Sequence, residues 1–247
     1  MRGGLVLLGA TTLAIVGSTP AQAGRSFFGW LGGTEVMPER SVELQNILAE
    51  ENRVEDEANR SESLWAASAF VGVTDQLELN FPFEFLWGRT PGMPGSTAFS
   101  AYGIEARYRL VSMDPEDAPA FAPLIRATLK RNVLQRDVAT PQLAFVATYE
   151  MGSVVIGADL GVSADVTRDD AELSAHPSVG VSVLAVGDLR FGAELYSEIA
   201  LEEDGASYVA VGPNLSWTHG RFWVSAAYAI GVYRIKDAPR MQWGIAF

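Results

Sequence analysis

The residues of this chain best able to do chemistry are acids and bases set singly between apolar neighbours. The acids are Glu43, Glu78, Glu84, Glu105, Asp159, Asp165, Glu194 and Glu198; the bases are Arg107, Arg109, Arg126, Lys130 and Arg190. Gathered inside one narrow enclosure, such a set has two uses. It lines a water-filled path, focuses the field there and selects ions or solutes by charge. Alternatively, the two signs pair across the enclosure and satisfy one another. The excess of acid favours cations if a path exists.

Catalysis has little material to work with. The histidines are His176 and His219. His219 precedes Gly220 in a turn-like dipeptide, and His176 has Ser178 as its same-face neighbour. On an extended chain such neighbours lie ~7 Å apart, too far for a base to touch its nucleophile. No catalytic residue is assigned, and an enzyme is not expected; a membrane-embedded lipid hydrolase built on Ser178 ranks third among the readings. Glu55-Asp56-Glu57 and Asp169-Asp170 read as solvated loop charges rather than calcium ligands. The chain has no cysteine, hence no thiolate metal site or disulfide framework. No cofactor or metal is expected.

Strands must position these side chains, because the pattern around them has period two. From Gln76 to Trp87, Leu77, Leu79, Phe81, Phe83, Phe85 and Trp87 share one face, and Gln76, Glu78, Asn80, Pro82 and Glu84 share the other. The stretch from Tyr102 to Leu110 repeats this, with Glu105, Arg107 and Arg109 on the polar face. Apolar sets at Leu143 to Tyr149, Val154 to Val162 and Phe222 to Ile230 continue it, opposite inward Asp159, Ser163, Asp165, Ser178, Ser182, Glu194, Asn214 and Ser225. Hydrophobic residues make up 48% of the chain and aromatic ones 10%, yet they are dispersed rather than blocked. Alternating strands of a membrane barrel have this composition.

Short and long breaks take turns along the chain. Thr74-Asp75, Gly152-Ser153, Gly187-Asp188 and His219-Gly220 read as tight turns. Between them fall Asn52 to Glu62, Arg89 to Ser96, Arg131 to Pro141, Arg168 to Leu173, Glu202 to Ala206 and Lys236 to Pro239 as longer loops. Ser112 to Pro119 is an extended turn on the short side. About twelve strands of ~10 residues result, with both chain ends on the short-turn side.

The N-terminus joins Arg2, an apolar run from Leu5 to Val16, and Ala21-Gln22-Ala23 before Gly24. That order is a secretory signal peptide cleaved between Ala23 and Gly24. Residues 1–23 are thus expected to be removed, 24–38 to form an extension of unassigned position, and 39–247 to form the barrel. At the other end Met241, Trp243, Ile245 and Phe247 share a face, and Trp243, Ile245 and Phe247 look like the terminal signal read by the barrel-assembly machinery. Trp65, Trp87, Tyr108, Tyr149, Trp217, Phe222 and Trp243 have the makings of interfacial girdles, while Phe70, Tyr196, Trp223 and Tyr233 are expected on the inner face.

The stretch around Gly72, Thr74, Asp75, Glu78 and Leu79 (GVTDQLEL) resembles the opening hairpin of outer-membrane proteins grouped with the MetA pathway of phenol degradation. That resemblance implies a small-molecule transporter. The expected fold is all-β, a transmembrane antiparallel up-and-down β-barrel in the outer membrane of a Gram-negative cell. It would act as a passive channel or facilitator for small, apolar or aromatic solutes, with a purely structural or surface barrel as the alternative. Expected partners are outer-membrane lipid, the assembly machinery and the solute. A net charge of −12 argues against nucleic acid.

Overall fold

A computed structural model describes residues 26–55, 58–89, 96–114, 119–202 and 207–247. The expected cleavage point at Ala23 and Gly24 lies outside them. The described residues form twelve strands: β1 (Val42–Glu55), β2 (Ala58–Gly72), β3 (Leu77–Arg89), β4 (Ser96–Arg109), β5 (Phe121–Asn132), β6 (Ala139–Met151), β7 (Val154–Val166), β8 (Ala171–Val186), β9 (Leu189–Ala200), β10 (Tyr208–His219), β11 (Phe222–Tyr233) and β12 (Ile235–Ala246). Each pairs antiparallel with its sequence neighbours, and β12 closes on β1, so the sheet has no free edge. Closure satisfies the backbone groups within the wall, a requirement of any sheet that crosses hydrocarbon.

Period two decides which side chains face out. On β3, Phe81 and Phe83 are 36% and 48% exposed, whereas Glu78 and Asn80 just before them are 0% and 6% exposed. The same contrast holds on β6, where Leu143, Phe145 and Tyr149 are exposed and Ala144, Val146 and Thr148 are buried. The outer wall is therefore an apolar belt around a polar interior, the inverse of a soluble barrel. Met241, Ile245 and Phe247 belong to that belt.

One rim carries the tight turns and the C-terminal Phe247. Gly152, Gly187 and Gly220 there have φ of 61°, 55° and 58°, a left-handed conformation that glycine reaches without steric cost and that matches the twist of a two-residue hairpin. His219 is the last residue of β10, so the turn is Gly220-Arg221 instead of His219-Gly220. β4 ends and β5 begins at this same rim, on either side of the expected extended turn Ser112 to Pro119, whose residues 115–118 lie outside the described ones.

Two of the expected loops at the opposite rim are strand, apart from residues 56–57, which lie outside the described ones. Through the polar stretch Asn52 to Glu62, β1 and β2 stay paired, with Glu51 opposite Glu62, Asn52 opposite Ser61 and Arg53 opposite Arg60. Residues 236–239 lie inside β12, and only Arg234, with φ of 50°, separates β11 from β12. Both misreadings have one cause: beyond the hydrocarbon layer a ladder survives without apolar side chains, so polarity there no longer marks a loop.

The core is inside the barrel, and residues 26–38 supply much of it. From Ser26, buried beside Gln242, this segment runs inside the lumen past Glu194 at Gly29 to Leu31 and comes to the turn rim at Pro38 beside Gly72. Phe28, Leu31, Val36 and Met37 are 0–3% exposed. Phe28 and Leu31 pack with Val155, Val36 with Leu124, Ala144 and Val146, and Met37 with Phe70, Trp223 and Ala246. Gly157 and Gly180 make room for the ring of Phe28: a Cβ at either would lie 2.8 Å from it. Residues 26–38 of the extension that sequence left without a position thus form a loop folded into the lumen.

Candidate functional site: the occupied lumen

Backbone groups of a loop inside a sealed wall need partners, and the wall supplies them from the ionisable residues. The N–H groups of Gly29, Trp30 and Leu31 all donate to the Glu194 carboxylate, at 2.9, 2.9 and 3.1 Å. Ser225 Oγ and Gln242 Nε2 each donate to the Phe28 carbonyl at 2.9 Å. Trp30 stacks on Tyr196 with centroids 4.1 Å apart, carries the Arg240 guanidinium 4.8 Å over its ring, and donates its indole N–H to the Ala238 carbonyl. Further along the loop Arg107 Nη2 donates to the Gly33 carbonyl at 2.6 Å and Arg109 to the Thr34 carbonyl at 3.4 Å. Thr34 and Thr148 share a hydroxyl bond of 2.6 Å. Met37 N–H closes the loop on Glu78 Oε2 at 2.7 Å.

Glu78 also holds Arg107 at 2.7 Å, with the two side chains 0% and 9% exposed. Glu84 pairs with Lys130 at 2.6 Å and Arg126 with Asp159 at 2.9 Å. Glu105 accepts from Thr128 Oγ1 at 2.9 Å. Asp165 lies further toward the loop rim, accepting from Thr140. Arg190, near the turn rim, bonds Ser182 and sits 4.6 Å over the ring of Phe27. All these side chains face inward as the alternation requires, and they divide into two sets. Glu78, Arg107, Arg109 and Glu194 hold the loop, whereas Glu84, Glu105, Arg126 and Lys130 line what it leaves open.

That remainder is a cavity of about 310 Å³ between the loop and the β1–β5 side. Its charged wall is Glu43, Glu84, Glu105, Arg107, Arg126, Lys130 and Arg240; its apolar wall is Ile47, Leu64, Ala66, Phe70 and Trp223. Trp223 is anchored by donating to Glu43 at 3.0 Å.

Phe70, Tyr196 and Trp223 are buried inside. Tyr233 is not: a register shift at Val209/Ala210 places it opposite Val209, facing out and 50% exposed. Trp65 sits at the middle of β2 rather than at a strand end, its indole capped by Asn46 at 3.2 Å. His176 does not pair with Ser178; its Nε2 lies 2.8 Å from Ser163 Oγ on the neighbouring strand. Sequence reading missed Arg240, Glu51 and Arg53, all of which fell in or beside segments read as loops. Glu51 accepts from Tyr196 and Arg53 at 2.9 and 2.7 Å.

No family of known proteins matches this chain, and no curated protein does. Among solved structures it is similar to an outer-membrane channel of the COG4313 group from Pseudomonas putida F1, at 10% identity and a TM-score of 0.63 over 87% of this chain and 98% of that one. It is also similar to the β domain of the Bordetella autotransporter BrkA (10% identity, TM-score 0.56, 85% and 100% covered) and to the NanC porin (9%, 0.53, 83% and 98%). The fold is accordingly that of outer-membrane β-barrels.

Proposed function

We propose that this chain is an outer-membrane channel for small solutes, exported with a cleaved signal peptide and oriented with its turn rim to the periplasm. Its conducting cross-section is set by residues 26–38. The carrying observation is the lumen itself: a closed wall, a loop bound on one side, and a cavity of about 310 Å³ on the other with one charged and one apolar wall. Such a two-sided lining suits a small amphipathic molecule, with Ile47, Leu64, Phe70 and Trp223 contacting its apolar part. The likeness to an outer-membrane channel and a porin supports the reading, as does the hairpin resemblance to the phenol-degradation family. The carboxylates on which cation preference would rest are engaged: Glu78 with Arg107 and Met37, Glu84 with Lys130, Glu105 with Thr128. Charge selectivity is therefore weak.

The density of bonds holding the loop favours a closed, structural barrel as the second reading. Liposome swelling decides between them. Vesicles carrying the folded protein should swell in small aromatic alcohols and short polyols and not in trisaccharides. Swelling no faster than in protein-free vesicles for every solute selects the structural barrel.

A further inference from the structure

Five inward side chains on consecutive strands form a stepped row across the lumen: His176, Glu198 and Tyr208 lie two residues nearer the loop rim than Tyr196, and Gln142 and Ser163 two residues nearer still, at the level of Ser174. Gln142 on β6 stands opposite Ser163 on β7 in the register. His176 on β8 and Glu198 on β9 occupy the level between the pairs Ser174/Ala200 and Ser178/Tyr196. Tyr208 on β10 stands opposite Glu198. The contacts run in order along the row. Ser163 Oγ lies 2.8 Å from His176 Nε2; His176 Nδ1 lies 3.9 Å from Glu198 Oε2; Tyr208 Oη donates to that same oxygen at 3.0 Å. Arg53 Nη2 lies 3.9 Å from it as well.

A hydroxyl on one imidazole nitrogen and a carboxylate on the other is the arrangement of an activated serine, defined by roles and geometry rather than by fold. We propose that Ser163, His176 and Glu198 form a serine acyl-hydrolase site in the outer part of the lumen, acting on small water-soluble carboxylic esters. In the first step Ser163 Oγ bonds to the ester carbonyl carbon while its proton passes to His176 Nε2. The tetrahedral adduct collapses, the carbon–oxygen bond to the alcohol breaks, and the alcohol leaves with that proton. Water then repeats the sequence on the acyl-serine, giving the acid and restoring Ser163. Glu198 fixes the imidazole through Nδ1 and stabilises its transient positive charge; at 3.9 Å it has to close in, as such contacts do when substrate binds. Tyr208 holds the carboxylate in place. Gln142 is the donor for the developing oxyanion, since directly opposed residues bring their Cβ atoms to within about 5 Å, and it also lines the lumen cavity.

The site is open to substrate. The His176 and Glu198 side chains are 36% and 25% exposed, and the inserted loop, whose Trp30 packs on Tyr196, stops short of them. Gly161, opposite His176, and Ala144 beside it keep the space in front of the imidazole free of bulk. A row that served only to satisfy its own hydrogen bonds would have the same geometry and no nucleophilicity, and reactivity separates the two. Hydrolysis here is independent of whether the barrel conducts.

The test treats the full folded barrel in detergent with an alkyl fluorophosphonate, which phosphonylates a serine oxygen with loss of fluoride only where the hydroxyl is activated, followed by peptide mass spectrometry. The expected result is a single phosphonylated residue at Ser163, with the rate reduced by about 100-fold or more in His176→Gln and abolished in Ser163→Ala. Ser178→Ala, buried and without a bond to His176, should label as the native chain does. Absence of label at Ser163 in the folded native barrel overturns the site, whatever the variants do. So does an equal rate in His176→Gln, which would make the row a structural network alone.

Discussion

At the scale of single residues, Glu78 and Arg107 carry the largest electrostatic stake. Both are almost wholly enclosed, each meets the other at 2.7 Å, and each also holds the inserted loop, at Met37 N–H and at the Gly33 carbonyl. Removing one partner strands the other charge away from water, which costs about 3–5 kcal/mol, whereas removing the charge of both is far milder. Arg107→Ala should therefore lower stability by about that amount in a urea titration from lipid vesicles, and the double variant Glu78→Gln/Arg107→Met should recover most of it. Equal losses in the single and double variants would show the pair to be dispensable. These partners were half legible in sequence. Alternation put Glu78 and Arg107 on inner faces and their strands side by side, but the loop that completes their bonding has no period, so nothing in its residues said where it goes. Ser163 shows the same limit: its inward face was read correctly, while its diagonal reach to His176 depends on the register of β7 against β8, which no single strand encodes.

At the scale of the strand, the two faces of β3 should respond differently to the same charge. Arg in place of Phe81, on the outer belt, should cost about 2–4 kcal/mol, while Arg in place of the inward Asn80, beside Glu105, should cost much less. Equal destabilisation of both variants in vesicle unfolding would contradict the face assignment. The final strand carries a second expectation. Trp243 and Ile245 lie on the outer face of β12, which closes the barrel on β1, and Phe247 directly follows that strand; deleting Phe247 should slow insertion into the outer membrane while leaving export across the inner one intact. An unchanged yield of heat-modifiable barrel in outer-membrane fractions would count against an assembly role. Strand faces were legible wherever apolar residues alternate with polar ones, as along β3, β4, β6 and β7. They were illegible where the wall rises beyond the hydrocarbon layer, since Asn52 to Glu55, Ala58 to Glu62 and Lys236 to Pro239 are mostly polar yet remain in the ladder. Arg240 was missed for that reason, although it stacks on Trp30 and faces the cavity. The bulge that turns Tyr233 outward has no sequence signature at all, because one extra residue reverses every face beyond it.

At the scale of the whole molecule, twelve strands enclose more space than their own side chains fill, which places this barrel between the packed eight-stranded and the open sixteen-stranded cases. The inserted loop takes up the difference. It seals the side formed by β7–β11 through Phe28, Trp30 and Leu31 and leaves the β1–β5 side open as the cavity. Conduction should therefore be governed by the loop rather than by the wall. The most direct measurement is single-channel conductance in planar bilayers for the native chain and for a variant lacking residues 27–36, both shown to be folded by heat-modifiable migration. The native barrel should pass a small, steady current, and removal of the loop should raise it severalfold, because the wall alone then sets the cross-section. Equal conductance in the two proteins, or no current through either, would contradict the account.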